Sequence, residues 1–320
     1  MTIREVFSAI FGWCPRYDEK MTRSIPAPIV DLSTIGKIVI SILLASWGLF
    51  SILIYYGNPV VSEAIAYGVF QPQTVLYIIL TILSATSGVM LLTLLADFVI
   101  SQMILRRHKL ELFIVLSSQA LIWLVAPFEF VIMYLVGNKI NGIESIIINQ
   151  FSLCIPEALL FSYLAYRVLS DKPILGGKSF LFLFFVFLVP FTRTVDPSYI
   201  FTAQQSLLEM VNRGMFTLVY GVAALFCINV YVKSRGKTEF EMSLPLYARV
   251  IVFIYGLVHS GIFSFLATGE ARYFLFVSGN APILAYWPYF VYFLGLMAAS
   301  FLPLRFRVGE KPLITQELRT

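Results

Sequence analysis

Charge is what this sequence has least of. Asp, Glu, Lys and Arg make up 13% of its 320 residues, about half their share in soluble domains. With 59% hydrophobic residues, 29 Phe and 17 Tyr, that scarcity excludes an ordinary soluble domain and points to a polytopic membrane protein. Cysteine is nearly absent. Cys14, Cys154 and Cys227 are odd in number and lack CxxC spacing, which argues against a disulfide framework or a zinc site. Histidine occurs twice. His108 lies in RRHK beside a membrane end, so it cannot pair with His259 around a haem. HExxH, Gly-x-Ser-x-Gly, a P-loop and the paired aspartates of lipid-linked transferases are missing. No cofactor and no metal is expected. Nor is nucleic acid a partner: the net charge of +5 comes from basic residues in the short segments between apolar runs, the pattern that orients a chain in a bilayer.

Those runs are what the sequence does contain. A hydrocarbon core about 30 Å thick takes about 20 apolar residues per helix. Eight segments meet that length: 37–57, 74–104, 110–136, 144–168, 177–195, 205–232, 245–268 and 282–304. The predicted fold is all-α, a membrane helical bundle of about eight transmembrane helices. Residues 1–35 form a cytoplasmic amphipathic segment, 36–304 the bundle, and 305–320 a cytoplasmic tail. No cleavable signal peptide is expected, because the first 35 residues are mixed and charged.

The basic residues set the orientation. With the N-terminus inside, 19 of them fall on the cytoplasmic side, including Arg106, Arg107, Arg167, Lys233 and Arg305. Only Lys139, Arg193 and Arg272 fall on the other, and Arg213 lies inside a span. That alternation predicts a multi-pass protein of the plasma membrane with both termini cytoplasmic. At the start, TIREVFSAIFGW puts Ile3, Val6, Phe7, Ile10 and Phe11 on one helical face. An interfacial helix, or a face packed on the bundle or a partner, would use that pattern. GWCP then ends it, a stretch that resembles the opening of several archaeal membrane proteins of unknown function.

Ionisable residues inside spans are costly and usually face a bundle interior or cavity. Here they gather in the outer half of the membrane: Glu129, Cys154, Glu157, Arg193, Glu209, Asn212, Arg213 and His259. Glu209 and Arg213 stand at i, i+4 and can pair on one face. Arg193, Arg213 and His259 are available for Glu129, Glu157 and Glu209. Proline precedes the charge in three spans, at Pro127, Pro156 and Pro190, and the backbone groups freed there need protein or cavity water. A hydrated polar pocket of Glu129, Glu157, Glu209, Asn212 and Arg213 is expected, with a network of locked ion pairs as the alternative. Tyr286, Trp287 and Tyr289 read as an interfacial belt.

Two functions fit. The first is non-catalytic: a permease, or an accessory subunit whose partners are the lipid bilayer and other membrane-protein subunits. The second is an intramembrane enzyme, since Cys154 is the one thiol within the polar group, Arg193 and Arg213 can favour its thiolate electrostatically, and His259 can act as a base. Over residues 142–220, GIESIIINQFSLCIPEALLFSYLAYR, FLFLFFVFLVPFTRT and SLLEMVNRGMF resemble the archaeosortase and exosortase family of multi-span cysteine transpeptidases. The resemblance implies that Cys154 attacks a peptide on the extracytoplasmic side, with Arg193 and Arg213 or His259 assisting. The family follows its cysteine with a small hydroxyl residue and glycine, where this chain has Ile155 and Pro156.

Overall fold

The computed structural model describes residues 29–30, 33–54, 66, 68, 71–101, 109–136, 143–170, 172–195, 207–262 and 283–309. The N-terminal amphipathic face and GWCP lie outside them. The described chain is mostly helical, in the order β1 (Ile29–Val30), α1 (Thr34–Leu53), α2 (Pro72–Ser101), α3 (Lys109–Val125), α4 (Phe128–Leu135) and α5 (Ile143–Leu169). It continues with α6 (Gly177–Thr194), α7 (Leu207–Ser234), β2 (Glu239–Ser243), α8 (Leu246–His259), α9 (Ile283–Ala299) and β3 (Arg305–Gly309). Six helical stretches are long and apolar enough to cross a membrane: Thr34–Leu53, Pro72–Leu95, Leu110–Leu135, Glu144–Leu169, Gly177–Thr194 and Leu207–Ser234. The helices α8 and α9 fall within the seventh and eighth predicted segments but are 14 and 17 residues long.

The helices close into a ring. The ring runs α1, α2, α3, α5, α6, α7, α8 and α9, each packed on the next, with α4 against α2 and α5, and α9 packs back on α1. Phe50 and Trp47 of α1 meet Tyr289, Tyr292 and Phe293 of α9 at that closing seam. Large apolar side chains remain exposed on the outside. On α7 they recur every seventh residue, at Val211, Leu218, Leu225 and Val232. Such a stripe suits lipid, since water would penalise it along its whole length.

Of the three prolines that precede a charge, one interrupts its helix, as the missing N–H allows. The third segment breaks at Ala126–Pro127, which separates α3 from α4. Pro156 and Pro190 stay inside α5 and α6.

A small sheet joins the helices, which the all-α expectation does not include. The three strands form one antiparallel sheet in the order β1-β3-β2, with Ile29 opposite Phe306 and Glu241 opposite Arg307. Arg307 also binds Glu239 and Glu241 of β2, each at 3.1 Å. The predicted tail therefore begins as the central strand of a sheet. Val308 and Phe240 turn inward onto Phe180, Cys227 and Val230. The sheet gathers the chain before α1, the α7–α8 connection and the chain after α9 at one end of the ring.

Arg167 fastens the α5–α6 connection to the same end. Counted from sequence as a loop charge, it is 0% exposed. Its Nε donates to Pro173 O at 2.5 Å, one terminal nitrogen to Tyr163 Oη at 3.0 Å and the other to Gly309 O of β3 at 2.5 Å. The Gly309 N–H closes the circuit on Leu175 O at 3.1 Å. Gly176 lies against the guanidinium, where a β-carbon would collide with it.

Candidate functional site

Depth in the ring can be measured from the sheet end, using a rise of about 1.5 Å per residue. Cys154 stands about 22 Å from that end, Tyr220 and His259 about 20 Å, Glu157 about 18 Å, and Tyr255 and Tyr289 about 15 Å. Arg193 stands about 24 Å away, and Asn212 and Arg213 beyond 30 Å. Cys154, Arg193, Tyr220 and His259 thus share one level near the middle of the ring, with Glu157, Tyr255 and Tyr289 nearer the sheet, and only Asn212 and Arg213 approach its far end.

The middle layer is aromatic as well as ionisable. The His259 ring stacks between Tyr255, at a centroid distance of 4.0 Å, and Phe293, at 5.5 Å. Phe216 meets it edge-on at 4.9 Å. His259 Nδ1 lies 3.1 Å from Tyr255 O and Nε2 lies 3.1 Å from Tyr220 Oη. A carbonyl only accepts, so Nδ1 carries the hydrogen, and in the neutral ring Tyr220 donates to Nε2. The imidazole proposed as a base for the thiol is held by these two tyrosines instead. Replacing Tyr220 with phenylalanine is expected to cost about 1 kcal/mol, read as a fall of roughly 2 °C in melting temperature. An unchanged melting curve would show that this bond contributes nothing.

Glu157 enters the layer from α5. It is close enough to influence Cys154 on its own helix and Tyr255 of α8 electrostatically. Glu157 Oε2 is buried with no hydrogen-bond partner among the described residues, as is Asn212 Oδ1 on α7. Such orphaned atoms are rare in folded proteins and call for an explanation.

Cys154 is 5% exposed. Arg193 crosses from α6 to α5 one turn before it, donating to Asn149 O at 2.7 Å and to the Ser152 hydroxyl. From there the guanidinium acts electrostatically on the thiol. The other thiol on a described helix, Cys227, is buried in the apolar cluster beneath the sheet. Cys14 lies outside the described residues.

The remaining polar residues go elsewhere. Glu209 and Arg213 pair at 3.3 Å on α7, the local contact their spacing allows. Glu129 accepts a hydrogen bond from Tyr77 of α2 in place of the expected cation. Tyr77 stands in an apolar cluster with Leu76, Leu80 and residues of α3, so Glu129 is held at the α2–α4 corner. Sequence reasoning passed over the tyrosines of the middle layer. Tyr289 is 8% exposed and packs edge-on to Phe293 and against Phe50 at the α9–α1 seam, against its reading as interfacial belt, whereas Trp287 is 66% exposed. The i, i+4 pairs Tyr255/His259 and Tyr289/Phe293 were the available signal, since each puts two rings on one helix face.

Comparison with known protein families, curated proteins and solved structures gives no match.

Proposed function

We propose that this chain is an eight-span integral membrane protein with both termini in the cytoplasm, working as a permease whose polar site lies inside the helix ring. Strand pairing supports the even count: six long helices separate β1 from β2, and two helices separate β2 from β3. The excess of Lys and Arg on the sheet side supports the orientation. The observation that carries the function is Glu157. A ring of helices presents a buried carboxyl oxygen to its interior with no partner among the described residues, and unsatisfied polar groups at mid-depth are how a bundle leaves room for a polar ligand. In an accessory subunit the same groups would serve a contact with a second protein.

Cys154 reports on this directly, in a protein with Cys14 and Cys227 replaced by serine. A small, membrane-impermeant thiol reagent added outside intact cells is expected to label Cys154, because a solute path must be wet. Complete protection, together with co-purification of a second membrane protein in mild detergent, would replace the permease with the subunit.

Arg193 favours one second reading, the archaeosortase-like transpeptidase. Its guanidinium reaches α5 one turn from Cys154, where it can favour the thiolate. Cys154→Ser separates the two readings: it abolishes cysteine-dependent peptide cleavage and leaves solute movement unaltered.

A further inference from the structure

Building on the permease reading, we infer that Glu157 is an exchangeable site for a small monovalent cation, H+ or Na+, in the interior of the ring. Its Oε2 is buried with no hydrogen-bond donor among the described residues, a property shared by Glu111 Oε2, which stands at the sheet end in the first turn of α3 and not in the middle layer. Glu209 has Arg213 and Glu129 has Tyr77. Arg193, the basic residue nearest on the adjoining α6, spends its terminal nitrogen on Asn149 O and the Ser152 hydroxyl. No salt bridge joins Glu157 to any described residue.

The groups around it are neutral at rest or already bound. Cys154 lies on the same helix. Tyr255 faces it from α8, and beyond Tyr255 stand His259, Tyr220 of α7, and Tyr289 and Tyr292 of α9. On α3, Gln119 binds Ser87, and Glu111 lies in the first turn at the sheet end. A bare carboxylate in such surroundings is strongly disfavoured. A proton on the carboxyl, or a sodium ion beside it, removes the unpaired charge. Pro156 supplies a second oxygen. Lacking an N–H, it leaves the carbonyl of Ser152 without its helical partner, one turn before Glu157. Freed carbonyls beside a mid-depth carboxylate are the donor set that holds H+ or Na+ in broken transmembrane helices.

Dicyclohexylcarbodiimide tests this on the full-length protein in mild detergent, because it modifies protonated carboxyls in apolar surroundings. Peptide mass mapping is expected to find the adduct on Glu157, and the Glu157→Gln variant to fold normally and lose it. For a proton, labelling falls about tenfold for each pH unit above the titration midpoint. For sodium, it falls when NaCl replaces KCl at constant pH. No adduct in sodium-free buffer at any pH overturns the cation site, as does an adduct indifferent to both pH and sodium, since that carboxyl never exchanges. If the cation site fails while impermeant reagents still reach Cys154, the permease reading stands without it. If Cys154 is also sealed, both fall.

Discussion

Replacing Arg167 with leucine lowers the melting temperature of the detergent-solubilised protein by roughly 10 °C. The guanidinium is sealed from solvent and its donors serve three acceptors from three places: Pro173 O in the α5–α6 connection, Tyr163 Oη on its own helix and Gly309 O in β3. Leucine fills part of the volume but leaves those acceptors buried and unpaired, each at about 1–3 kcal/mol. The summed loss is about 3–5 kcal/mol, in the range for breaking a buried charged contact. Arg167→Lys is expected to recover less than half of it, because one ammonium cannot span the planar fork of a guanidinium. The loss also has an address. β3 should become the first site of proteolysis, since Arg167 and the Leu175 carbonyl fasten its Gly309 end. A leucine variant that melts within about 2 °C of the parent, with β3 still protected, removes the clamp from the account.

Arg167 also shows where sequence reasoning stops. A basic residue at the end of an apolar helix reads as a solvated loop charge, and its depth from the sheet end agrees with that assignment. Only the backbone of a segment 142 residues further on turns it into a core residue. The sheet escaped for a related reason. Its strands are two to five residues long, too short for alternation to stand out, and they come from three distant places: before α1, between α7 and α8, and after α9. Long apolar runs were legible because a bilayer imposes one length on every span. Glu209 and Arg213 were legible because their contact is local.

Two long-range juxtapositions in the candidate site follow from counting alone. Cys154 and Arg193 stand 19 and 20 residues on either side of Pro173. Tyr220 and His259 stand 20 and 19 residues on either side of Phe240. In a hairpin of two helices, residues equidistant from the turn lie at equal depth. Two hairpins turning at one end of the ring therefore bring all four residues to neighbouring levels. Depth does not say which side of a helix faces in, and that is why Tyr255 was passed over and Tyr289 was read as interfacial belt. A tyrosine is equally at home in a headgroup belt and in a core with a partner for its hydroxyl. The ring decides between them: α9 closes against α1, and that seam needs flat aromatic faces, which Tyr289, Tyr292 and Phe293 supply to Trp47 and Phe50.

Closure of the ring depends on how nearly its first two helices approach, and Gly88 sets that distance. A β-carbon at Gly88 of α2 would stand 2.5 Å from Gly48 O and 2.6 Å from Ile52 Cγ1 on α1. The first of these is backbone, so no rotamer change relieves it. Gly88→Val must push α1 away from α2. That strips the Ser84 hydroxyl from Ser51 O, a 2.6 Å bond across the same seam, and shifts Leu43, which packs over Gly295 of α9 on the other side of α1. Overpacking of this kind costs about 1–3 kcal/mol, and more where backbone must move, so a loss of at least about 3 kcal/mol is expected. Gly214 provides the contrast. It is also inside a helix, α7, yet a β-carbon there meets nothing within 4 Å, and Gly214→Ala should stabilise by about 0.5–1 kcal/mol by restricting the unfolded chain. Opposite signs from two helical glycines would identify close approach, and not helix propensity, as the reason Gly88 is glycine. If Gly88→Val melts with the parent protein, α1 and α2 are not in contact at this seam, and the ring has no closure there to support an interior.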